Sequence, residues 1–188
     1  MPGLTISAYD PQWVDSFRLL QLRLARWVMD IADSIEHVGS TSVPGLAAKP
    51  IIDLDVVAAR DELVPELIAR LTGLGYRHEG DLGIVGREAF QAPHTDPEQR
   101  LPEHHLYVVV AGTKPHLDHV LLRDYLRSHP DEVRRYAQAK WELARRLSGA
   151  AEARSSYWQA KSPLVEDLVA RAYAWRATDQ GEVSRQWG

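Results

Sequence analysis

Residues 51–57 read Ile-Ile-Asp-Leu-Asp-Val-Val, a β-rich apolar run broken with period two by Asp53 and Asp55. Successive side chains of a strand point to opposite faces, so both carboxylates leave one face and Ile52, Leu54 and Val56 the other. The pattern places this strand inside a mixed sheet. At a rise of about 3.4 Å per residue the acids stand about 7 Å apart. Such hard oxygen ligands suit magnesium bridging phosphates, and two ions could clamp both oxygens of an in-line displacement. The other reading of the same residues is a pair of solvated or salt-bridged acids beside a loop.

What precedes the strand favours the first reading. Glu36-His37-Val38-Gly39-Ser40-Thr41-Ser42 ends a short strand, residues 34–38, in a turn of glycine and small hydroxyl residues. Such a turn lets backbone N–H groups approach phosphate oxygens with no side chain in the way. Gly39, Ser40, Thr41 and Ser42 are therefore candidate phosphate contacts, and Lys49, just ahead of the acidic strand, is a cation within reach. His37 either faces the site or fills the strand's other face. The stretch lacks the Gly-Lys-Ser/Thr of a Walker A loop, so P-loop kinase chemistry is not expected.

Composition narrows the classes further. A chain of 188 residues can bury a sizeable core, and 45% hydrophobic with 26% charged residues predicts a packed fold. A formal net charge of -4 argues against a basic nucleic-acid footprint, so any phosphate must be met by local cations. The absence of cysteine excludes disulfides, thiolate metal sites and cysteine nucleophiles. With no leader-like N-terminus and no run of about 20 apolar residues, a cytoplasmic protein off the membrane is expected.

Asp10-Pro11 opens a helix running to about Asp33, with Trp13, Phe17, Leu20, Leu24, Trp27 and Val28 along one face. About one helical turn is expected after Pro44. A second helix spans 61–74 and is closed by Gly75, strands over 76–79 and 84–91 flank a turn, and 92–103, with its three prolines, is a loop. Residues 104–111 form another strand. Helices over 115–128, 130–147 and 156–175 follow, with a polar, frayed tail after Ala177. The expectation is one α/β (α+β) domain over 1–177, its core near 1–112 and its helical part near 113–177, then a tail at 178–188.

Taken together, the hydrophobic-Gly-Ser turn and the Asp-hydrophobic-Asp strand resemble the signature of the nucleotidyltransferase superfamily. The segment 35–55, IEHVGSTSVPGLAAKPIIDLD, looks like the hallmark of the GrpB family, a bacterial branch of that superfamily. Other pieces agree: Tyr9-Asp10-Pro11-x-Trp13, Gly75-Tyr76, Gly83-Ile84-x-Gly86-Arg87, His104-His105-Leu106-Tyr107-Val108, Arg123-Asp124-Tyr125-Leu126-Arg127 and Tyr136-x-x-x-Lys140. The resemblance covers roughly residues 6–175. It implies a nucleotidyltransferase-like mixed β-sheet flanked by helices, with a C-terminal helical part. It implies the reaction less directly, because one fold hosts several chemistries. Many superfamily members place a third carboxylate on a neighbouring strand, whereas this chain, like the GrpB pattern, has His104 and His105 there.

On that strand the two histidines face opposite sides, so only one meets Asp53 and Asp55. His105 is the choice, because its face continues through Tyr107 and Val109 while His104 shares the more uniformly apolar row of Leu106 and Val108. It would serve as third ligand or base, which opens the way to a single-metal site or a softer metal. Arg87 follows a glycine in the second hairpin. Arg123 and Arg127 are i,i+4 partners, and Lys140 and Lys161 each lie four residues after a tyrosine. The resemblance selects Arg123, Lys140 and Lys161 as anion contacts beside Lys49 and Arg87. His116-x-x-His119 has helical spacing but no third ligand nearby and is read as surface, and the six scattered tryptophans as core or rim. The expected function is a metal-dependent nucleotidyltransferase acting on a nucleoside triphosphate and a small-molecule acceptor, with Mg2+ or another divalent metal on Asp53, Asp55 and His105. The alternatives are a metal-dependent hydrolase, or a nucleotide- or metabolite-sensing domain with little catalysis. The latter is tied to coenzyme A metabolism, since some GrpB-type domains are fused to dephospho-CoA kinase.

Overall fold

The computed structural model describes residues 5–93, 101–147 and 153–186, the last helix by its backbone alone at 153–154 and 179–186. Asp10 Oδ1 accepts the N–H of Gln12 at 2.9 Å, and α1 (Gln12–Val28) follows, burying Trp13, Leu20, Leu24 and Val28. It stops short of Asp33 because Ala32 and Ser34 already pair with Ala58 and Val57 in the sheet. Trp27, expected on the apolar face, lies 48% exposed at its rim.

Next come β1 (Ala32–Val38), β2 (Ile52–Ala58), α2 (Val64–Gly73), β3 (Arg77–Gly80), β4 (Arg87–Gln91) and β5 (His104–Val110). The five strands form one mixed sheet in the order β1-β2-β5-β4-β3. Only β2 and β5 pair in parallel, and α2 with the β3–β4 hairpin makes the crossover that a parallel pair needs. On one face Ile52, Leu54, Val56, Leu106 and Val108 pack with Leu20 and Leu24 of α1 and Leu67 and Leu71 of α2. The alternate residues of β2 and β5 turn to the other face, where α3 (Lys114–Ser128), α4 (Pro130–Leu147) and α5 (Ala153–Gln186) form the C-terminal helical region. These helices share a second core that includes Leu121, Leu126, Val133 and Leu168 and takes in Val43 and Leu46 from the link between β1 and β2.

Two further local expectations are corrected. The helical turn expected after Pro44 falls before it, as a 3-10 turn over Ser40–Ser42, because Ser42 Oγ donates to the Gly39 carbonyl at 2.7 Å and tightens the chain there. The tail after Ala177 continues α5 as helix to Gln186, since propagating an existing helix is far easier than starting one. Of the expected loop, residues 94–100 lie outside the described residues. Among the described residues no helix is long and apolar enough to cross a membrane.

His37 falls on the α1 side of β1, which decides between its two readings. Its ring stacks on Phe17 at 4.6 Å and its Nε2 lies 3.0 Å from Thr41 Oγ1. Burial pushes its pKa down to about 4 from an ordinary 6.5. The fold therefore holds the neutral ring. The unfolded chain binds a proton as pH drops below about 6.5 while the native chain refuses one until about 4, so stability is lost on acidification through that window. Urea denaturation should show wild type losing about 2 kcal/mol more than His37→Gln between pH 7 and pH 4.5. Equal losses would place the acid sensitivity elsewhere.

Candidate functional site

Strand register assembles the site in rows. Val38, Asp53 and His105 stand side by side across β1, β2 and β5, and Glu36, Asp55 and Tyr107 form the next row. Asp53 Oδ1 lies 2.9 Å from His105 Nδ1, and Asp55 Oδ2 lies 2.8 Å from Nδ1 of His119, which comes from α3. A carboxylate only accepts, so each imidazole donates from Nδ1. His104, as expected, turns the other way and meets the Tyr76 hydroxyl at 2.8 Å inside the core.

Charges on this face perturb one another. Burial pushes the Asp53 carboxyl up, but the hydrogen bond and charge of His105, with the charges of Lys161 and His119, bring it below its usual value. The Asp53 hydrogen bond raises the His105 pKa. Burial opposes protonation of His119, yet the hydrogen bond and charge of Asp55 and the charge of Asp53 outweigh it, and its pKa rises as well. Asp55 is fully buried, and its Oδ1 has no hydrogen-bond partner among the described residues. Among those residues no group of three or more His, Asp or Glu side chains is gathered tightly enough to hold a metal by itself.

Gly39 brings the turn against the acidic strand. Its φ of 68° favours glycine, and a Cβ at this position would overlap the Asp53 carboxylate, with Cγ only 2.8 Å away. The next residue, Ser40, accepts a hydrogen bond at 2.9 Å from the Lys140 ammonium group. Lys140 is 2% exposed and sits 4.3 Å over the Tyr136 ring. Burial, helped by the charge of Lys161, pushes its pKa far down, and burial lowers that of Lys161. Thr41 and Ser42, expected to meet phosphate alongside Ser40, are both buried. The Thr41 hydroxyl is engaged by His37 and the Ser42 hydroxyl by the Gly39 carbonyl.

The remaining cations divide by partner. Lys49 lies 5.0 Å over the Tyr157 ring, and Arg87 lies 4.6 Å over Tyr107 with a buried Nε that has no hydrogen-bond partner among the described residues. Arg123 is tied to Glu36 at 2.8 Å and to Asp124 at 2.7 Å, and Arg127 donates twice to the Ser42 carbonyl. Two cavities, about 180 and about 200 Å3, flank Asp53 and share Ser40, Asp53, Tyr107 and Lys161 in their walls.

Sequence reasoning missed three residues of this face. His119, read as surface, reaches Asp55. His116, also read as surface, accepts the Gly112 N–H at 3.1 Å and lies 3.7 Å from Glu36. Glu36 itself stands opposite Asp55 on β1, its carboxyl held at about 2 by His116 and Arg123 despite burial. A signal existed: positions 116, 119 and 123 share one helical face, and that face carries two imidazoles and a guanidinium.

The model of the GrpB protein family matches residues 3–171. The chain belongs to the GrpB family. A GrpB protein from Enterococcus faecalis, known from a crystal structure, superposes with a TM-score of 0.75 at 30% identity, covering 89% of this chain and 96% of that one. YqkA of Bacillus subtilis is 32% identical over 171 residues, or 91% of this chain and 48% of YqkA. A Pseudomonas aeruginosa relative is 36% identical over 166 residues, covering 88% of this chain and 66% of that one. The chain thus spans about half of the first relative and about two thirds of the second.

In this GrpB-family chain the contact between Gly39 and Asp53 joins the turn to the acidic strand. Gly39→Ala should destabilise the fold by about 2 kcal/mol or more, from the strained φ together with the overlap. Combining it with Asp53→Ala, which removes the overlapping carboxylate, should recover part of that loss. A double-mutant cycle by chemical denaturation should give a coupling of at least about 1 kcal/mol, and simple additivity would show that the two residues do not press on each other.

Proposed function

We propose that the chain is a metal-dependent nucleotidyltransferase, moving a nucleotidyl group from a nucleoside triphosphate to a small-molecule acceptor. The observation that carries this reading is a convergence. Two strand carboxylates, a glycine-serine turn and two lysines, the buried Lys140 and the half-buried Lys161, meet around Asp53, and neither ammonium group forms an ion pair with a carboxylate among the described residues. Asp53 and Asp55 would hold a magnesium ion, with His105 beside them as third ligand or base. The donor set fits: magnesium is commonly held by one or two carboxylates, keeping water and substrate phosphates for its other positions, so no ready-made protein cage is needed. Asp55 Oδ1, buried and without a hydrogen-bond partner among the described residues, is an oxygen suited to this role. When bound, such an ion neutralises charge on the transferring phosphate and orients it.

The chain's own side chains supply the rest. Gly39 leaves room beside the strand, Ser40 offers its hydroxyl, and Lys140 and Lys161 neutralise the triphosphate. Burial and the charge of Lys161 push the Lys140 pKa down against the opposing charge of Asp53, and a bound polyanion adds counter-charge that raises it again. Lys49, over the Tyr157 ring, extends the cationic lining, while Arg87, over the Tyr107 ring, is in the wall of neither cavity. Arg123, matched by Glu36 and Asp124, ties α3 to β1.

Magnesium with ATP should raise the Tm of the wild-type protein by mass action, and Asp53→Asn with Asp55→Asn should fold but lose that response. An unchanged response would put the ion elsewhere. Product analysis then separates the readings: pyrophosphate release supports transfer, binding without turnover a sensing domain, and phosphate release alone a hydrolase.

Lys140→Met tests the buried amine. Replacing a buried amino group that has no ion-pair partner among the described residues with an apolar side chain of similar length should stabilise the ligand-free fold by about 1 kcal/mol or more. The same change should weaken ATP binding about tenfold or more, the scale of a lost charge-assisted hydrogen bond. Destabilisation with unchanged ATP affinity, measured by calorimetry, would make Lys140 structural.

A further inference from the structure

The two cavities beside Asp53 differ in their walls. The larger, about 200 Å3, has Lys49, Lys140 and Lys161 in its lining, with His105 and Trp158 near them. The smaller, about 180 Å3, shares Ser40, Asp53, Tyr107 and Lys161 with it; Val43, Leu122, Leu126 and Val165 make an aliphatic side, and the polar groups added are His119, Arg123 and Tyr136. A triphosphate belongs with the three lysines, since in the smaller cavity Arg123 is held by Glu36 and Asp124 and His119 by Asp55, and a multiply charged group is not tolerated against an aliphatic side. The smaller cavity is thereby left to the other substrate, and the two meet at Asp53.

We infer that the smaller cavity is the acceptor site, and that the acceptor is a small molecule with an uncharged apolar body and one hydroxyl or amine directed at Asp53. This rests on the nucleotidyl-transfer reading above. At about 180 Å3 the cavity lies below the range of roughly 300–1,000 Å3 usual for drug-sized ligands, as does its neighbour of about 200 Å3, so this cavity takes one small ring or chain just as the other takes the phosphate chain. Aliphatic cavities of this size take up molecules such as benzene. Polyols of equal size are rejected, because their additional hydroxyls find no partner on the Val43, Leu122, Leu126 and Val165 side. In the transfer the acceptor oxygen or nitrogen forms its bond to the α-phosphorus while the bond from that phosphorus to the bridging oxygen breaks. Pyrophosphate leaves with the electron pair, and the acceptor's proton passes to solvent.

Phenol, a ring with one hydroxyl, is the probe, with glycerol as the polyol comparison and ATP with magnesium as the probe of the other cavity. Val165→Trp fills the smaller cavity from α5, and Leu122→Phe fills it more gently from α3 should the first variant not fold. Ligand-observed NMR titrations should show saturable phenol binding to wild type and none by glycerol. Phenol affinity should fall at least tenfold in either folded variant while ATP affinity changes less than twofold. Absence of phenol binding, phenol binding indifferent to both substitutions, or displacement of phenol by ATP would each overturn the acceptor site. If ATP binds and phenol does not, the acceptor site alone fails. If phenol binds and ATP does not, the nucleotidyl-transfer reading fails and takes the acceptor role with it.

Discussion

The approach of the Gly39 backbone to the Asp53 carboxylate is the contact on which the geometry of the site depends. Antiparallel pairing sets Val38 opposite Asp53, so the chain leaves β1 beside the acid and must turn away at once. Only a residue without a Cβ passes there, and the positive φ of Gly39 directs the following Ser40–Ser42 turn over the face that carries Asp53 and Asp55. The inward hydroxyls of Thr41 and Ser42 then lock that turn, which leaves Ser40 as the hydroxyl presented to Lys140. The hydroxyls of two residues expected as phosphate contacts thus hold the one beside them in place.

The charges on this face are arranged unequally. The acids are matched: Asp53 by His105, Asp55 by His119, and Glu36 by Arg123 with His116 close by. Imidazole suits that task where a ligand must also be admitted, because it bonds a carboxylate without a fixed full charge. Lys140 and Lys161 have no such match among the described residues, and burial lowers the pKa of both. Burying a cation without a partner works against folding. An anionic ligand would offset that penalty, so the proposal of a phosphate ligand rests on the lysines more than on the acids.

Period-two alternation made the facing of β2 and β5 legible. The residues of these strands obey it because one side of each is packed against α1 and α2, and a slip by one residue would expose Leu54 and Leu106. That is also why His105, and not His104, meets Asp53. Helix limits were less legible. The end of α1 is set by the pairing of Ala32 and Ser34 across the sheet, a contact with no trace in the local sequence. Glu36, His116 and His119 escaped notice for a related reason: each reads as an ordinary polar residue on its own element, and it matters only because β1 and α3 meet over β2.

The sequence by itself determined that β2 carries two carboxylates on one face behind a glycine-serine turn, because backbone alternation and the freedom of glycine are local properties of the chain. The family resemblance then added the mixed sheet and its helical region. Only the tertiary structure decided which groups those carboxylates face. Partners 52 and 64 residues distant in the chain, His105 for Asp53 and His119 for Asp55, are brought in by strand register and by helix packing. The same packing buries Lys140, a hundred residues after Ser40, against the serine's hydroxyl. Burial and long-range proximity set the electrostatics of such groups, and neither is written in the spacing of residues along the chain.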